Sequence, residues 1–183
     1  VMARRQRQMC IRDRYKGAIN SLSFGNVSYN ILRELYKKNI SVAFFPFGEN
    51  LVFDAFDKID PDFHKWVVAS SQNRFHLMSK DYHTLSQWHI NGSESRISPN
   101  QTLFTFYETD EPTDVESSVV KMQDNCAFSS SHAANIFKSK GCDNVHSVPI
   151  GFDEDFHETN ESYLPNNCLL YTSDAADEPY RGG

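Results

Sequence analysis

The chain has 183 residues, of which 39% are hydrophobic, 13% are aromatic and 23% are charged. This length supports one globular domain and is short for two, and the composition is not that of a disordered or low-complexity chain. No apolar run approaches the ~18 consecutive residues that a membrane-spanning helix requires. The formal net charge of -6 gives no basic surface for nucleic acid. We therefore expect a folded protein with no transmembrane segment and no nucleic-acid partner.

The two ends of the chain are related through the genetic code. Residues 4–14 can be encoded by a DNA segment whose reverse complement, read in another frame, encodes residues 168–177. This segment resembles the transposase adaptor used to prepare sequencing libraries, as in metagenomic work. We therefore expect residues 1–14 and 168–183 to be non-native tails that pack against nothing and contribute nothing to the fold.

Cysteine usage between those ends is sparse. Only Cys126 and Cys142 remain. Two isolated cysteines without C-x-x-C spacing indicate neither a zinc site nor a disulfide framework. A reducing compartment fits this usage best, and we expect a cytoplasmic protein.

The first predicted elements form a β-α-β unit. Residues 17–23 read as a strand, residues 24–28 as a tight turn, and residues 29–36 as a helix, because apolar residues recur there at helical spacing. Residues 40–45 form a short apolar run that Pro46 and Gly48 close, which is typical of a buried strand in a parallel sheet.

The rest of the chain continues this alternation. The predicted helices cover residues 64–80, 115–123 and 131–140, and the predicted strands cover residues 84–90, 102–107, 126–128 and 145–148. We expect an α/β fold, with a mainly parallel, Rossmann-like sheet and helices on both of its faces. Such sheets bind ligands at the carboxyl ends of their strands, which nominates the loops at residues 24–28, 91–98, 108–113 and 129–131.

Four short segments carry a resemblance to a known family. Residues 148–156 are similar to an interdomain signature, V-P-x-G-[VFI]-D-x-x-x-F, with Phe156 one position early. Residues 126–132, with Gly141, are similar to a strand-serine-helix-glycine pattern. Residues 106–110 resemble an aromatic-Glu loop, and residues 23–26 resemble a glycine turn after the first strand. In this order and spacing they resemble the N-terminal, acceptor-side domain of retaining GT-B glycosyltransferases.

The resemblance implies one half of a two-domain enzyme. Residues 15–148 would form its Rossmann-like N-terminal domain, and residues 149–167 would begin the interdomain linker. The nucleotide-sugar donor would bind mainly to a second domain that follows the linker, so the fragment is expected to be inactive by itself. The partner of this half would be a sugar or glycan acceptor with a hydroxyl group. The alternative is a non-catalytic, Rossmann-like module that binds a small ligand.

No cofactor and no metal are expected beyond the nucleotide-sugar cosubstrate. Asp60-Pro61-Asp62 and Asp153-Glu154-Asp155 have the D-x-D spacing of a divalent metal site, but neither directly ends an apolar strand.

Glu108 is the candidate catalytic residue. It follows an apolar predicted strand and precedes a loop that Pro112 limits. The resemblance places it where a polar side chain meets the donor sugar across the cleft. A carboxylate there could bind sugar hydroxyls or act as a general base. The alternative is a solvated loop acid.

The first candidates for binding substrate follow two predicted strands. Gly25 permits a close backbone approach or a positive φ, so that amides at the helix start, beside Asn26, would face an anion or a sugar hydroxyl. An ordinary turn with Asn26 or Ser28 as the helix cap is the alternative. His89 could donate to an acceptor or a phosphate, although a core histidine with satisfied nitrogens is slightly favoured.

Further candidates lie in the other loops. Arg96 could clamp a phosphate or carboxylate, or it could pair with Glu94 on the surface. Ser130, like Ser131, is first of all an N-cap and only second a cleft residue. Asn91 and Thr109 complete the substrate-binding set. The aromatic residues of the strands favour a core over a sugar-stacking platform: Phe44, Phe45, Phe104 and Phe106.

Overall fold

A computed structural model of the chain describes residues 13–48, 51–54, 56, 59–77 and 82–151. The chain divides into two compact units, Val1–Ile150 and Gly151–Gly183, and the elements described here belong to the first. They form a six-stranded sheet in which every pairing is parallel, with the order β2-β1-β3-β4-β5-β6. This is the Rossmann-like α/β fold that the sequence predicts.

Strands and helices alternate along the described chain except between the third and fourth strands. The strands are β1 (Arg14–Gly17), β2 (Ala43–Pro46), β3 (Thr84–Gln87), β4 (Gln101–Thr105), β5 (Asn125–Phe128) and β6 (Val145–Ser147). The helices are α1 (Ser23–Lys37), α2 (Pro61–Leu77), α3 (Asp114–Lys121) and α4 (Ser131–Ser139).

β1 lies earlier than the strand predicted at residues 17–23. Its register is fixed on both sides, because Arg14 is the partner of Ala43 in β2 and of Thr84 in β3. Arg14 is only 2% exposed, and its Nη1 donates to the Ile97 carbonyl at 3.0 Å. Arg14 is therefore part of the packed fold. Apart from Arg14 and Asp13, the residues of the predicted tails lie outside the described residues.

α1 begins six residues before the predicted helix, so the turn predicted at residues 24–28 is wrong. The Asn26 amide already donates to the Leu22 carbonyl at 2.9 Å. Phe24, Ser28 and Leu32, spaced four apart, are all buried on the face that packs inward. Burial of this face outweighs the low helix propensity of the Gly-Asn pair, which had indicated a turn.

Two apolar cores lie on opposite faces of the sheet. On one face, Tyr15 of β1 and Leu85 of β3 are partners in register and pack with residues of α1 and α2. On the other, Leu103 of β4 and Cys126 of β5 pack with residues of α3 and α4. Thr102, the residue before Leu103, is the register partner of Leu85, so the side chains of Thr102 and Leu85 lie on the same face of the sheet. Because side chains alternate along a strand, Leu103 lies on the opposite face.

A helix-free connection covers the sheet between β3 and β4. We call residues 93–98 the strap, because their backbone crosses from the carboxyl edge of the sheet to its amino edge. Lys16 Nζ donates to the Ser95 carbonyl at 2.6 Å, and Gln101 Nε2 donates to the Ser93 carbonyl at 3.0 Å. The strap therefore places backbone acceptors over polar strand residues. The expectation that the whole loop at 91–98 opens at the ligand edge is wrong beyond Gly92.

Arg96 anchors the strap at the amino edge of the sheet. Its Nη1 donates to the Met122 carbonyl at 2.8 Å, its Nη2 lies 2.5 Å from Asp124 Oδ2, and Nη2 also contacts the Pro99 carbonyl. The surface pair with Glu94 is not formed, since Glu94 accepts instead from the Gly92 amide at 2.8 Å. Arg96 thus joins the entrances to β4 and β5.

Acidification should weaken this anchor. The Gln101 backbone amide, and after it Arg96, lower the pKa of Asp124 below its ordinary value of 3.8. A lowered pKa means that the stabilisation is present above the ordinary value and is lost as the pH falls through the lowered one. We expect Asp124→Asn to lower the free energy of unfolding at neutral pH by about 1 kcal/mol, because solvent screens a half-exposed pair.

Urea unfolding at neutral and acidic pH measures both effects. When the pH falls from neutral to below about pH 4, the free energy of unfolding should decrease less in Asp124→Asn than in the parent. Asp62→Asn is the control, because Asp62 forms an exposed ion pair with Lys65, and it should change stability by less than about 0.5 kcal/mol. An equal decrease in the free energy of unfolding on acidification in Asp124→Asn and in the parent would contradict the prediction.

Candidate ligand crevice at the carboxyl edge

The strand order creates a topological switch point between the carboxyl ends of β1 and β3, and we call this edge of the sheet the crevice. The chain leaves β1 for β2 on one side and then returns to β3 on the other side of β1. Connections diverge at such a switch point, and open α/β sheets bind ligands there. The residues that flank the crevice are 18–22, which lead into α1, and 88–92, which follow β3.

An aromatic cluster occupies this crevice. The Phe24 ring, in the first turn of α1, lies 4.3 Å from the His89 ring and 4.6 Å from the Phe106 ring, measured between centroids. The Trp88 ring stacks on the Phe47 ring at 4.2 Å and lies 6.0 Å from Phe24. Residues that follow β1, β2, β3 and β4 therefore meet at one edge. The aromatic cluster is defined by Phe24, Phe47, Trp88, His89 and Phe106.

Part of the aromatic cluster faces solvent. His89 is exposed, Phe106 and Trp88 are half-buried, and Phe24 forms the buried floor. The core histidine favoured for position 89 is therefore not observed. Of the four strand phenylalanines expected in the core, Phe106 alone joins the crevice, because it lies just past the end of β4. The other three are buried: Phe44, Phe45 and Phe104.

A buried hydrogen-bond network supports the floor of the crevice. The Tyr15 hydroxyl donates to Gln87 Oε1 and lies 3.0 Å from Ser28 Oγ, which itself donates to Gln87 Oε1 at 2.7 Å. Gln87 Nε2 donates to the Phe24 carbonyl at 3.2 Å. Burial raises the pKa of Tyr15, so its hydroxyl stays protonated as a donor. The network ties β1 and β3 to the first turn of α1.

Two glycines allow α1 to approach the sheet edge. A Cβ on Gly17 would lie 2.5 Å from Ser28 Oγ, and a Cβ on Gly25 would lie 2.5 Å from the backbone N and O of Asn20. Gly25 is not among the glycines with a positive φ. Its role in the fold is therefore the close backbone approach, made to Asn20 of the same chain.

The first turn of α1 has no side-chain cap. Leu22 occupies the N-cap position, is 68% exposed, and makes no side-chain hydrogen bond to the helix. Neither Asn26 nor Ser28 caps the helix, because Asn26 Oδ1 accepts from Asn30 Nδ2 at 3.2 Å and Ser28 faces Gln87. The first turn of α1 therefore lacks the side-chain acceptor that an N-cap residue usually supplies.

The loop after β4 brings acidic side chains to the same edge. Glu108 is exposed, and no residue in the described ranges forms a hydrogen bond or an ion pair with it. Thr109 is exposed. Burial raises the pKa of the nearby Tyr107, whose hydroxyl lies 3.4 Å from Glu116 Oε2. Asp110 Oδ1 lies 3.0 Å from His132 Nε2 in an exposed pair that connects this loop to α4.

The remaining candidates divide between the two edges of the sheet. Asn91 is exposed beside the crevice, in the turn after β3. Ser130 is the N-cap of α4, where its side chain accepts from the Ala133 amide at 3.1 Å, while Ser131 is the first helical residue. Arg96 lies at the opposite edge. The structure thus gathers Gly25, Asn26, His89, Asn91, Glu108, Thr109 and Ser130 at the carboxyl edge.

The acidic pairs with D-x-D spacing have other partners or lie elsewhere. The Asp62 amide donates to Asp60 Oδ1 at 2.9 Å at the start of α2, and the second pair falls outside the described residues. Within the described ranges, no three His, Cys, Asp or Glu side chains gather into a potential metal site.

None of the helices in the described ranges has the length and apolar character needed to cross a bilayer.

Sequence reasoning missed the residues that build the floor. Phe24 was assigned to a turn, Ser28 was considered only as a helix cap, and neither Tyr15 nor Gln87 was singled out. One signal was present: a polar Gln87 inside a short strand, preceding Trp88 and His89, indicates a buried amide that needs partners.

Comparisons with protein-family models, with curated proteins and with solved structures found no match for this chain.

Removal of the Gln87 amide should destabilise the fold. Gln87→Leu leaves the hydroxyls of Tyr15 and Ser28 without their shared acceptor in a buried site, and we expect a loss of about 1 to 3 kcal/mol in the free energy of unfolding. Gln72→Leu, on the exposed surface of α2, is the matched control and should stay within about 0.5 kcal/mol. Urea unfolding followed by circular dichroism measures both, and equal stabilities would rule out the network as a source of stability.

Proposed function

We propose that this chain is the acceptor-binding half of a glycosyltransferase, whose complete form transfers a sugar from a nucleotide-sugar donor to a hydroxyl group of a sugar or glycan. The observation that carries the proposal is the aromatic cluster at the switch-point crevice, with polar and acidic side chains around it. Sugar rings present apolar C–H faces and a rim of hydroxyls, so a site for them combines aromatic surfaces with a few directed polar groups.

The polar rim supplies the directed groups. His89 and Asn91 follow β3, and Glu108 and Thr109 follow β4, so donors and acceptors follow the two strands whose ends supply the rings beside Phe24. The uncapped amides of α1 add donors that can bind a hydroxyl oxygen. Each is a side chain or backbone group suited to neutral hydroxyls.

The proposed role of Glu108 follows from its exposure and from the absence of a hydrogen-bond or ion-pair partner in the described ranges. A carboxylate without a partner in the described ranges can accept a hydrogen bond from an acceptor hydroxyl, and it can take the proton as the new bond forms. In the complete enzyme this group would act as the base or orient the hydroxyl.

Sugar binding to the 183-residue chain tests the crevice. We expect methyl glucoside and longer glucosides to bind weakly and to change the fluorescence of Trp88, in a Trp66→Phe background that removes the other tryptophan. His89→Ala should reduce the affinity by about three- to tenfold, because the exposed ring is part of the surface that stacks on the sugar.

His83→Ala is the matched control for this substitution. His83 is also exposed, but it precedes β3 and contacts Thr102 Oγ1 at 2.9 Å, at the far edge of the sheet. Its removal should leave sugar affinity unchanged. Absence of binding by any glucoside, or equal losses in the two variants, would contradict the proposed site.

Turnover in the complete enzyme tests Glu108. The coding sequence beyond residue 167 should encode the second β/α domain that binds the nucleotide-sugar donor, whereas a stop codon there would favour a non-catalytic ligand-binding module. In the complete enzyme, Glu108→Gln should lower kcat by roughly ten- to a thousandfold, about 1.4 to 4 kcal/mol. In the present chain it should change stability by less than about 0.5 kcal/mol. Unchanged turnover, or unfolding of the chain, would assign Glu108 a solvated or structural role.

A further inference from the structure

Three buried polar oxygens beneath the strap have no hydrogen-bond partner among the described residues. They are Thr84 Oγ1 and Ser86 Oγ in β3, and Gln101 Oε1 in β4. All three side chains are 0% exposed. A buried polar group without a partner costs free energy, so native proteins usually supply one, either from the chain or from ordered water. These oxygens therefore indicate a bound molecule.

The strand register places the three oxygens on the side of the sheet that the strap covers. Thr84 is the register partner of Gln101 in β4 and of Arg14 in β1. Ser86 is the partner of Lys16 in β1. Arg14, Lys16 and Gln101 all donate to carbonyls of the strap. Because β3 lies between β1 and β4, the strap crosses directly over Thr84 and Ser86.

Differences in side-chain length leave room under the strap. The residues that contact it from the flanking strands have long side chains, those of Arg14, Lys16 and Gln101. The residues between them, Thr84 and Ser86, have short ones. Short side chains beneath a backbone that long ones support leave space for a small molecule. We call this space the polar chamber, defined by Thr84, Ser86, Gln101 and the strap.

The Gln101 side chain needs a hydrogen-bond donor that its neighbours do not supply. Its Nε2 donates to the Ser93 carbonyl at 3.0 Å and to Gln123 Oε1 at 2.8 Å. These acceptors fix the orientation of the amide, because its reversal would bring oxygen against oxygen. Gln123 Nε2 cannot serve as the donor, since it lies 3.3 Å from Ser93 Oγ and 3.4 Å from the Val119 carbonyl.

We propose that the polar chamber is a site for buried water, which links the hydroxyls of Thr84 and Ser86 to Gln101 Oε1. Water can donate to the amide oxygen and accept from the hydroxyls, and a buried water typically makes about three such bonds. The positions of Thr84 and Ser86 are about 6.6 Å apart along the strand, which exceeds two hydrogen bonds of about 2.8 Å each. We therefore assign about two water molecules to the chamber.

The charges and polar atoms of the chamber favour water over an ion. A metal cation would lie beside the buried charges of Arg14 and Lys16, whereas an anion would face the partial negative charge of Gln101 Oε1. This inference does not depend on the proposed function, because the chamber lies beneath the strap and not among the rings of the aromatic cluster.

Oxygen-17 magnetic relaxation dispersion tests the site in solution, because it counts water molecules that stay bound longer than the protein takes to tumble. Thr84→Val combined with Ser86→Ala removes both hydroxyls at little change in shape, and we expect it to lower the count by about two. Thr84→Ser keeps the hydroxyl and should leave the count unchanged. Ser71→Ala is the control and should also leave it unchanged, because the buried Ser71 hydroxyl donates within its own helix, to the Val68 carbonyl at 2.9 Å.

A crystal structure of the parent chain locates the molecules and decides the matter if the double variant does not fold. We expect solvent peaks within about 3.2 Å of Thr84 Oγ1 and Gln101 Oε1. Hydroxyls bonded directly to strap carbonyls, with no peak between them, would overturn the proposal. A peak that bromide replaces on exchange of the salt would identify a halide and would also overturn it. So would an unchanged count in the folded double variant.

Discussion

The pairing of β1 with strands on both of its sides is the constraint on which the rest of the structure depends. Arg14 is in register with Ala43 and with Thr84, so β1 is interior and cannot shift without breaking two ladders. That position makes the carboxyl end of β1 a switch point, because its two neighbours are reached by connections that diverge. The Gln87 network then fixes the first turn of α1 over this point, with the Phe24 ring as its floor.

A polar layer beneath the strap is the second consequence of this topology. No helix connects β3 to β4, so the sheet face that carries Arg14, Lys16 and Gln101 is covered by backbone rather than by apolar side chains. Carbonyl groups of the strap accept from all three. Buried cations are tolerated only with such partners, which explains why a charged β1 lies inside the fold.

The crevice has a buried floor, which supports the structure, and an exposed polar rim. Its floor is buried and hydrogen-bonded, and this rigidity holds the rings in place. Its rim is exposed and acidic, and Glu108 has no partner among the residues that the structure describes, which is the basis for the role proposed for it. Rigid support beneath adjustable polar groups is the arrangement that small-molecule sites require.

The sequence by itself determined the fold class and the order of the elements, because alternation of apolar runs and helical periodicity is a local property. It also brought Glu108 and His89 to the carboxyl edge, since each follows a strand of a parallel sheet. Tertiary structure alone decided the rest. The start of α1 at Ser23 depends on burial against β1 and β3, the position of Arg96 depends on the path of the strap to Asp124, and both are contacts between residues far apart in the chain. The secondary-structure propensity of a short segment does not reveal such contacts, because they stabilise the chain only after distant segments have packed together.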